Sequence, residues 1–547
     1  MISVRLKERR NDIVFIIFFT VIFIIGLRNY LESPPYIMGD TAIFPFSNPG
    51  LSNPSLTILY YLYLTLGELN TIKLLNFLAF IIGPISVYFI VRREKSVIKR
   101  LVIPLIYTLN PFAVSFFADG DGEGILLIYS LQPIVFYLTY KMFTSQNFKY
   151  FIFLCITEVI GQIFFFQMFL FSFFFQLPLI LISFRERKYF FFIYPILADL
   201  IGFLSEVSEE VLIYLEIVPK VLVSPSNNPS LGLFLYSQIF SVLLLAFAMF
   251  TVFVYKNRYS LALLTSASFL LLIYAYIENF HVYIPVISAL LAAITTFQTK
   301  VYLLSFGLLD LSLIYLKDRQ LIIPLLFLIL IVLLPSTGAL GVSTYSLFNI
   351  KPSPVPEWYY TLYNYLSRYN PHYVYAYGDS YSRCLSSLPG FNGFLSNMSF
   401  GPFDAVEFIV TTTNLNYSWL KLLGDFGPIR LYYNENYTGI VHYFNGSPVK
   451  DYVITDNEIV VKGKPPFIVS IPYSNFWTNA KPYGEYIELT SNISYNTLSP
   501  LKGELYYFSL IFLTLPFLLF IINEGVKLKV PSNGKFKGNR IRNKFSK

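Results

Sequence analysis

The chain has 547 residues, is 55% hydrophobic and 19% aromatic, and carries only 13% charged residues with a formal net charge of +8. A soluble protein carries about 25% charged residues, so this composition and a mean hydropathy of +0.57 argue against a soluble enzyme and for a polytopic membrane protein. Two cysteines, Cys155 and Cys384, and three scattered histidines argue against a disulfide framework and a Cys/His zinc site.

The chain opens with RLKERR and then DIVFIIFFTVIFIIGL. Gly26-Leu27-Arg28-Asn29 offers no small-residue cleavage site, so the segment reads as an uncleaved signal anchor. Apolar segments near 13–31, 72–91, 101–118, 125–143, 150–166, 168–184, 189–204, 231–255, 259–277, 300–316, 321–345 and 506–523 are spanning candidates. They predict about twelve spans, given the ~20 residues that one crossing needs.

Basic clusters fall on alternate connections: Arg5 to Arg10, Arg92 to Arg100, Arg185 to Lys188, Lys256 with Arg258, Lys317 with Arg319, and Lys527 to Lys547. The other connections are acidic, with Asp40, Glu68, Asp119, Asp121, Glu123, Glu206, Glu209, Glu210, Glu216 and Glu278. The positive-inside rule then places both termini in the cytoplasm of a multi-pass plasma-membrane protein, with Asp40 outside. The basic tail 524–547 reads as a lipid-facing tail, with no nucleic-acid partner. An extra apolar stretch, 281–297, would break the parity and reads as a re-entrant or interfacial helix.

Two outer loops attract attention. "YIMGDTAIFPFSNPG", 36–50, holds one acid, Asp40. It serves as a helix cap or Asx turn, or it carries chemistry. "DGDGEG", 119–124, alternates Asp119, Asp121 and Glu123 with glycines. Glycine permits tight turns, so carboxylates two apart can converge on one cation. An EF-hand reading fails because its twelfth position would be Ser130, within an apolar segment. A solvated acidic turn remains the alternative. Glu158, Asp199 and Asp310 lie inside predicted spans, where an acid must face the bundle interior. They are either packing partners of Gln132, Gln162 or Gln167, or an ion path.

The membrane region 1–347 is expected to give way to a β-rich extracytoplasmic domain over 348–505, then a final helix over 506–523. N-x-S/T sequons stand at Asn397, Asn416, Asn436, Asn445 and Asn492. "DYVITDNEIVVKG" and "PFIVSIPYSNFW" alternate like strands and are expected to pair around Gly463-Lys464-Pro465-Pro466. "EWYYTLYNYLSRY" suits a helix.

Gly39-Asp40 followed by Phe44-Pro45 resembles the first outer loop of the GT-C superfamily of polytopic glycosyltransferases. "IVVKGKPPFIVSIPYSNFWTNAKPYG" is similar to the late outer domain of the YfhO-like and arabinofuranosyltransferase-like branches. Asp119-Gly120-Asp121 resembles the second acidic motif of oligosaccharyltransferases, although their W-W-D-Y-G motif is absent. The resemblance implies a GT-C-like fold and a polyprenyl-phosphate sugar donor in the membrane lipid. The acceptor would be a glycan, lipid or glycoprotein at the cell surface. It implies catalytic roles for Asp40, Asp119 and Asp121, with Asp119 and Asp121 either positioning the acceptor or holding Mg or Mn as the one cofactor.

The departing phosphate needs a cation partner. The candidates are Lys220, Arg28 and His281, then Lys300, with Glu123 beside the acceptor. Arg28 also suits a residue snorkelling from the end of the first span. No G-x-x-x-x-G-K-[ST] loop is present, so a nucleoside triphosphate is not the expected energy source. A transporter or flippase of a lipid-linked saccharide, or a non-catalytic envelope-assembly protein, is the alternative.

Overall fold

The computed structural model describes residues 2–34, 36–38, 41–43, 54–118, 122–145, 147–164, 168–185, 193–205, 243, 245–280, 298–326, 352–369, 374–377, 388–389, 406–437, 439–455, 458–473, 475–484 and 486–529. Its first part is a helical bundle. The order is α1 (Ile2–Gly26), α2 (Arg28–Leu31), a hairpin of β1 (Tyr36–Met38) and β2 (Thr41–Ile43), α3 (Pro54–Leu66), α4 (Glu68–Val91), α5 (Val97–Thr108), α6 (Pro111–Ala118) and α7 (Gly122–Ser145). Then come α8 (Phe148–Phe164), α9 (Met168–Arg185), α10 (Ile193–Leu204), α11 (Arg258–Phe280) and α12 (Gln298–Ser312).

The bundle core shows how polar groups are handled. Pro133 inside α7 has no N–H for the carbonyl one turn earlier, which belongs to Tyr129. The hydroxyl of Tyr107 on α5 donates to that carbonyl at 2.8 Å, and Tyr129 returns a bond to Tyr107 O at 3.2 Å. Their rings stack 4.4 Å apart. Gly307 of α12 lies so close that a Cβ there would sit 2.7 Å from the Tyr129 ring. Each bond contributes about 1 kcal/mol net, and removing one partner would strand a buried polar group.

The expectation of about twelve spans is not met. Among the described residues, three helical stretches are long and apolar enough to cross a membrane: Leu69–Val91, Gly124–Ser145 and Glu504–Asn523. The reason is local. The apolar run 101–118 is divided at Asn110, whose Oδ1 accepts from Phe112 N at 3.0 Å, and Pro111 starts a new helix. The resulting pieces have 12 and 8 residues, about 18 and 12 Å long at 1.5 Å per residue. A hydrocarbon core is about 30 Å thick. Among the described residues, the run 189–204 contributes the 12-residue α10, and 150–166 falls in the 17-residue α8. The run 300–316 ends as α12 followed by a 3₁₀ turn, Leu313–Tyr315. Residues 281–297 lie outside the described residues, as do most of 231–255 and 321–345.

The later part is β-rich. β3 (Ser353–Pro354) precedes α13 (Glu357–Tyr369), the helix expected at that sequence. Tyr359, Leu362 and Leu366 of α13 recur at helical spacing and are fully buried. They pack on the sheet of β4 (Val374–Tyr377), β5 (Phe408–Thr411), β6 (Leu420–Phe426) and β7 (Ile429–Asn434), in the order β4-β5-β7-β6. Next come β8 (Val441–His442), β9 (Tyr452–Ile454), β10 (Glu458–Val461), β11 (Phe467–Pro472), β12 (Ala480–Tyr483), β13 (Tyr486–Leu489) and β14 (Ile493–Tyr495). They form two sheets, β12-β13-β11-β8 and β14-β10-β9, around Val441, Val461, Phe467 and Ile487.

The expected β10–β11 pair is therefore wrong, although both strands exist. Pro465 and Pro466 supply no N–H to a ladder. Asn492 Nδ2 instead donates to Val461 O and Gly463 O, each at 2.8 Å, so β10 pairs with β9 and β14. The chain ends in α14 (Leu498–Lys529), which packs against α3, α8 and α10. It leaves Ile511, Ile521 and Ile522 60% or more exposed.

Candidate functional site at the β1–β2 end of the bundle

Asp40, Asp119, Asp121, Lys220 and His281 lie outside the described residues. Glu123 stands in the first turn of α7, but its side chain is outside the description. Arg28, at the start of α2, pairs with Glu32 one turn later at 2.9 Å, and both side chains are exposed, 72% and 63%. An exposed i,i+4 pair contributes little, about 0.3–0.5 kcal/mol.

The segments that lead into the two acidic loops do meet. Tyr30, one residue before the end of α2, is fully buried and packs edge-on against Phe117, centroids 4.8 Å apart. Phe117 is the penultimate residue of α6, two positions before Asp119. Phe80 of α4 completes the trio at 5.0 Å from Phe117. Beyond α2, β1 and β2 pair antiparallel with Met38 opposite Thr41, on either side of Asp40 in sequence. On its other edge β1 pairs with β3, placing Tyr36 opposite Pro354 and Ile37 opposite Ser353. The β-rich part is thus stitched by backbone bonds to the strand preceding Asp40.

One lysine marks this end. Lys73 of α4 is 6% exposed, and its Nζ donates to Leu31 O at 3.0 Å and to Ser33 O. Those bonds anchor the chain just ahead of β1. One turn on, Asn76 Nδ2 donates to Tyr30 Oη at 2.9 Å. Lys300 of α12 is 3% exposed. Asn110 Nδ2 donates to Asp310 Oδ2 at 2.9 Å, and Phe112 packs on Tyr302 and Phe306. The start of α6 therefore packs along α12.

The basic clusters occupy the opposite end of α4. Arg93, Glu94, Lys95, Ser96, Lys99 and Asp318 line an open cleft of about 550 Å³. Lys99 Nζ donates to Ile314 O at 2.8 Å, so the 92–100 and 317–319 clusters share one face. From Lys73 to Val91 is about 27 Å along the helix.

Sequence reading missed Lys73 because it sits within an apolar run. The signal was available: a lysine near a span end must find acceptors or reach water. Of the packing partners expected for the buried acids, Gln167 lies outside the described residues, and the hydrogen bonds of Asp199 and Asp310 go to other side chains. Asp199 pairs with Gln176 at 2.9 Å and Asp310 with Asn110. Gln132 donates to Ile128 O and meets the Met168 sulfur. No group of three or more His, Cys, Asp or Glu side chains is placed to hold a metal among the described residues. No family model, curated protein or solved structure matches the chain.

Proposed function

We propose that the chain is a glycosyltransferase acting at a membrane surface, which moves a sugar from a polyprenyl-phosphate donor to a glycan, lipid or glycoprotein acceptor. The observation that carries this reading is the Tyr30–Phe117 contact. It joins α2, which leads toward Asp40, to α6, which leads toward Asp119, and Lys73 is buried beside the chain leaving α2. The resemblance of Gly39-Asp40 and Asp119-Gly120-Asp121 to GT-C loops points the same way.

The chemistry is balanced with few groups. Asp40 takes the proton of an acceptor hydroxyl, whose oxygen attacks the anomeric carbon. The bond from that carbon to the phosphate oxygen breaks, and the polyprenyl phosphate leaves with the electron pair. Attack opposite the leaving group inverts the anomeric centre. A positioned carboxylate base contributes roughly 10²–10⁴-fold. The growing negative charge on the phosphate needs cations close by. Lys300 and Lys220 are the candidates, with His281. Asp119 and Asp121 orient the acceptor with Glu123, and they are the residues that would hold Mg or Mn. The apolar stretch Glu504–Asn523, which is largely exposed, offers a surface for the isoprenoid chain.

A transporter of a lipid-linked saccharide draws support from the buried acids Glu158, Asp199 and Asp310. One assay separates the two. Protein in vesicles is supplied with polyprenyl-phosphate sugars and acceptor glycolipid, and Asp40→Asn is compared with the unaltered chain. A transferase consumes donor, and Asp40→Asn slows it by about 10²-fold or more while the fold is retained. Donor that crosses the bilayer unconsumed, or an unchanged rate in Asp40→Asn, rejects the assignment.

A further inference from the structure

Three of the N-x-S/T sequons lie wholly within the described residues: Asn416-Tyr417-Ser418, Asn445-Gly446-Ser447 and Asn492-Ile493-Ser494. A sequon serves as a glycan acceptor from a surface loop, and it requires two groups, the amide and the hydroxyl two residues on. The fold treats the three pairs differently.

At Asn492 both groups are engaged. Its Nδ2 donates to Val461 O and to Gly463 O, each at 2.8 Å, and the buried Ser494 hydroxyl donates to Thr478 O. A sugar on Nδ2 would replace one of its two hydrogens and break one of the bonds that end β10. At Asn445 the hydroxyl is engaged. Ser447 donates to Asn445 Oδ1 through Oγ at 2.7 Å and through N at 3.1 Å. Tyr443 N closes the same turn on Ser447 O at 2.9 Å, and Pro448 restricts Ser447 further.

Asn416 stands in the connection between β5 and β6. Asn416, Tyr417 and Ser418 are all exposed, and among the described residues no hydrogen bond engages the Asn416 amide or the Ser418 hydroxyl. The loop is nevertheless fixed on both sides. Leu415 N donates to Tyr432 Oη and Tyr432 Oη to Asn414 Oδ1, each at 3.1 Å, and Leu420 N donates to Tyr417 O at 3.1 Å. Tyr417 is 46% exposed and stacks on Trp419, centroids 5.3 Å apart. That pair forms an aromatic shelf beside the free amide, and the C–H face of a sugar would cover it.

We propose that Asn416 carries an N-linked glycan and that Asn445 and Asn492 do not. The proposal rests on the reading that the β-rich part lies outside the cell. The donor is a lipid-phosphate-linked glycan, brought by a separate transferase. Asn416 Nδ2 attacks the anomeric carbon, the bond from that carbon to the phosphate oxygen breaks, and the lipid phosphate leaves with the electron pair. One amide proton passes to a base of that transferase.

The test isolates the full chain from membranes of cells that glycosylate such sequons, and measures peptide masses before and after glycosidase treatment. A sugar mass is expected on the Asn416 peptide and none on the Asn445 or Asn492 peptides. Ser418→Ala removes that mass. Asn492→Asp, which lacks both donors, leaves it in place and lowers the melting temperature. A bare Asn416, or a sugar on Asn445 or Asn492, overturns the proposal. A membrane-impermeant amine reagent on intact cells, read at the exposed Lys421 and Lys481, then shows whether the outward orientation fails with it. The peptide masses do not depend on transfer by this chain, so the outcome is separate from that of the Asp40→Asn assay.

Discussion

The ring of Tyr30 meets the ring of Phe117 edge-on at 4.8 Å, and this contact joins the chain leaving α2 to the chain leaving α6. Both residues are fully buried, and Phe80 packs on the same Phe117 ring. Phe117→Ala is predicted to lower stability by about 3–5 kcal/mol, the usual cost of emptying a buried phenylalanine site. Phe117→Leu, which fills more of the volume, costs less. Denaturant unfolding of the two variants checks this. Wild-type stability in Phe117→Ala would show that the contact does not hold the two segments.

Lys73 acts on the same region through the backbone. Its ammonium serves the carbonyls of Leu31 and Ser33, and hydrogen bonds to charged groups contribute about 1.5–3 kcal/mol. Lys73→Met should increase amide hydrogen exchange in β1 and β2 while leaving α7 and α8 protected. Unchanged exchange over 36–43 would remove Lys73 from the account.

In the β-rich part, Gly427 turns the chain between β6 and β7, with Phe426 opposite Ile429. Its φ is +57°, and an added Cβ would meet the Trp358 ring at 2.7 Å. Gly427→Ala therefore suffers both left-handed strain, about 1 kcal/mol, and a clash that must displace α13. A melting temperature below that of the parent is expected, and an equal or higher one would contradict this packing.

The same region should be sensitive to alkali. Burial, with Glu407, Tyr452 and Tyr433 nearby, holds the Tyr437 phenol well above its ordinary range, and burial raises Tyr452 as well. A raised folded-state value means that the folded chain retains a proton which the unfolded chain releases near pH 10. The stabilising difference is complete below about pH 10 and is lost as pH climbs past it. Phenolate absorbance from these tyrosines should appear only as the sheets unfold. Their ionisation at ordinary pH in the folded protein would refute the burial argument.

The helix Glu357–Tyr369 was legible because Tyr359, Leu362 and Leu366 repeat at a single period. Strands β10 and β11 were legible as strands but not as partners, since Asn492, about thirty positions away, decides the pairing. The span count failed because hydropathy registers that 101–118 is apolar and not that Asn110 ends one helix and Pro111 begins the next. Asp40 and Asp119 stood out in the sequence, yet the meeting of α2 and α6 depends on Tyr30 and Phe117, two aromatic residues in a chain with many. Neither ring carries a local signal that it will meet the other. Asp199 stands out in the sequence as an acid within an apolar run, and its partner Gln176, 23 positions earlier, is evident only with α9 and α10 placed together.

Proximity of Asp40 and Asp119 is the most direct test of the whole account. Asp40→Cys and Asp119→Cys are introduced together in a Cys384→Ser background, with Cys155 left in place because it is fully buried, and a thiol cross-linker of ~10 Å reach, about three extended residues, is applied. A link between positions 40 and 119 is predicted, with none between 40 and a cysteine replacing Lys95 at the far end of α4. Efficient labelling of both thiols without any 40–119 link would contradict a shared site.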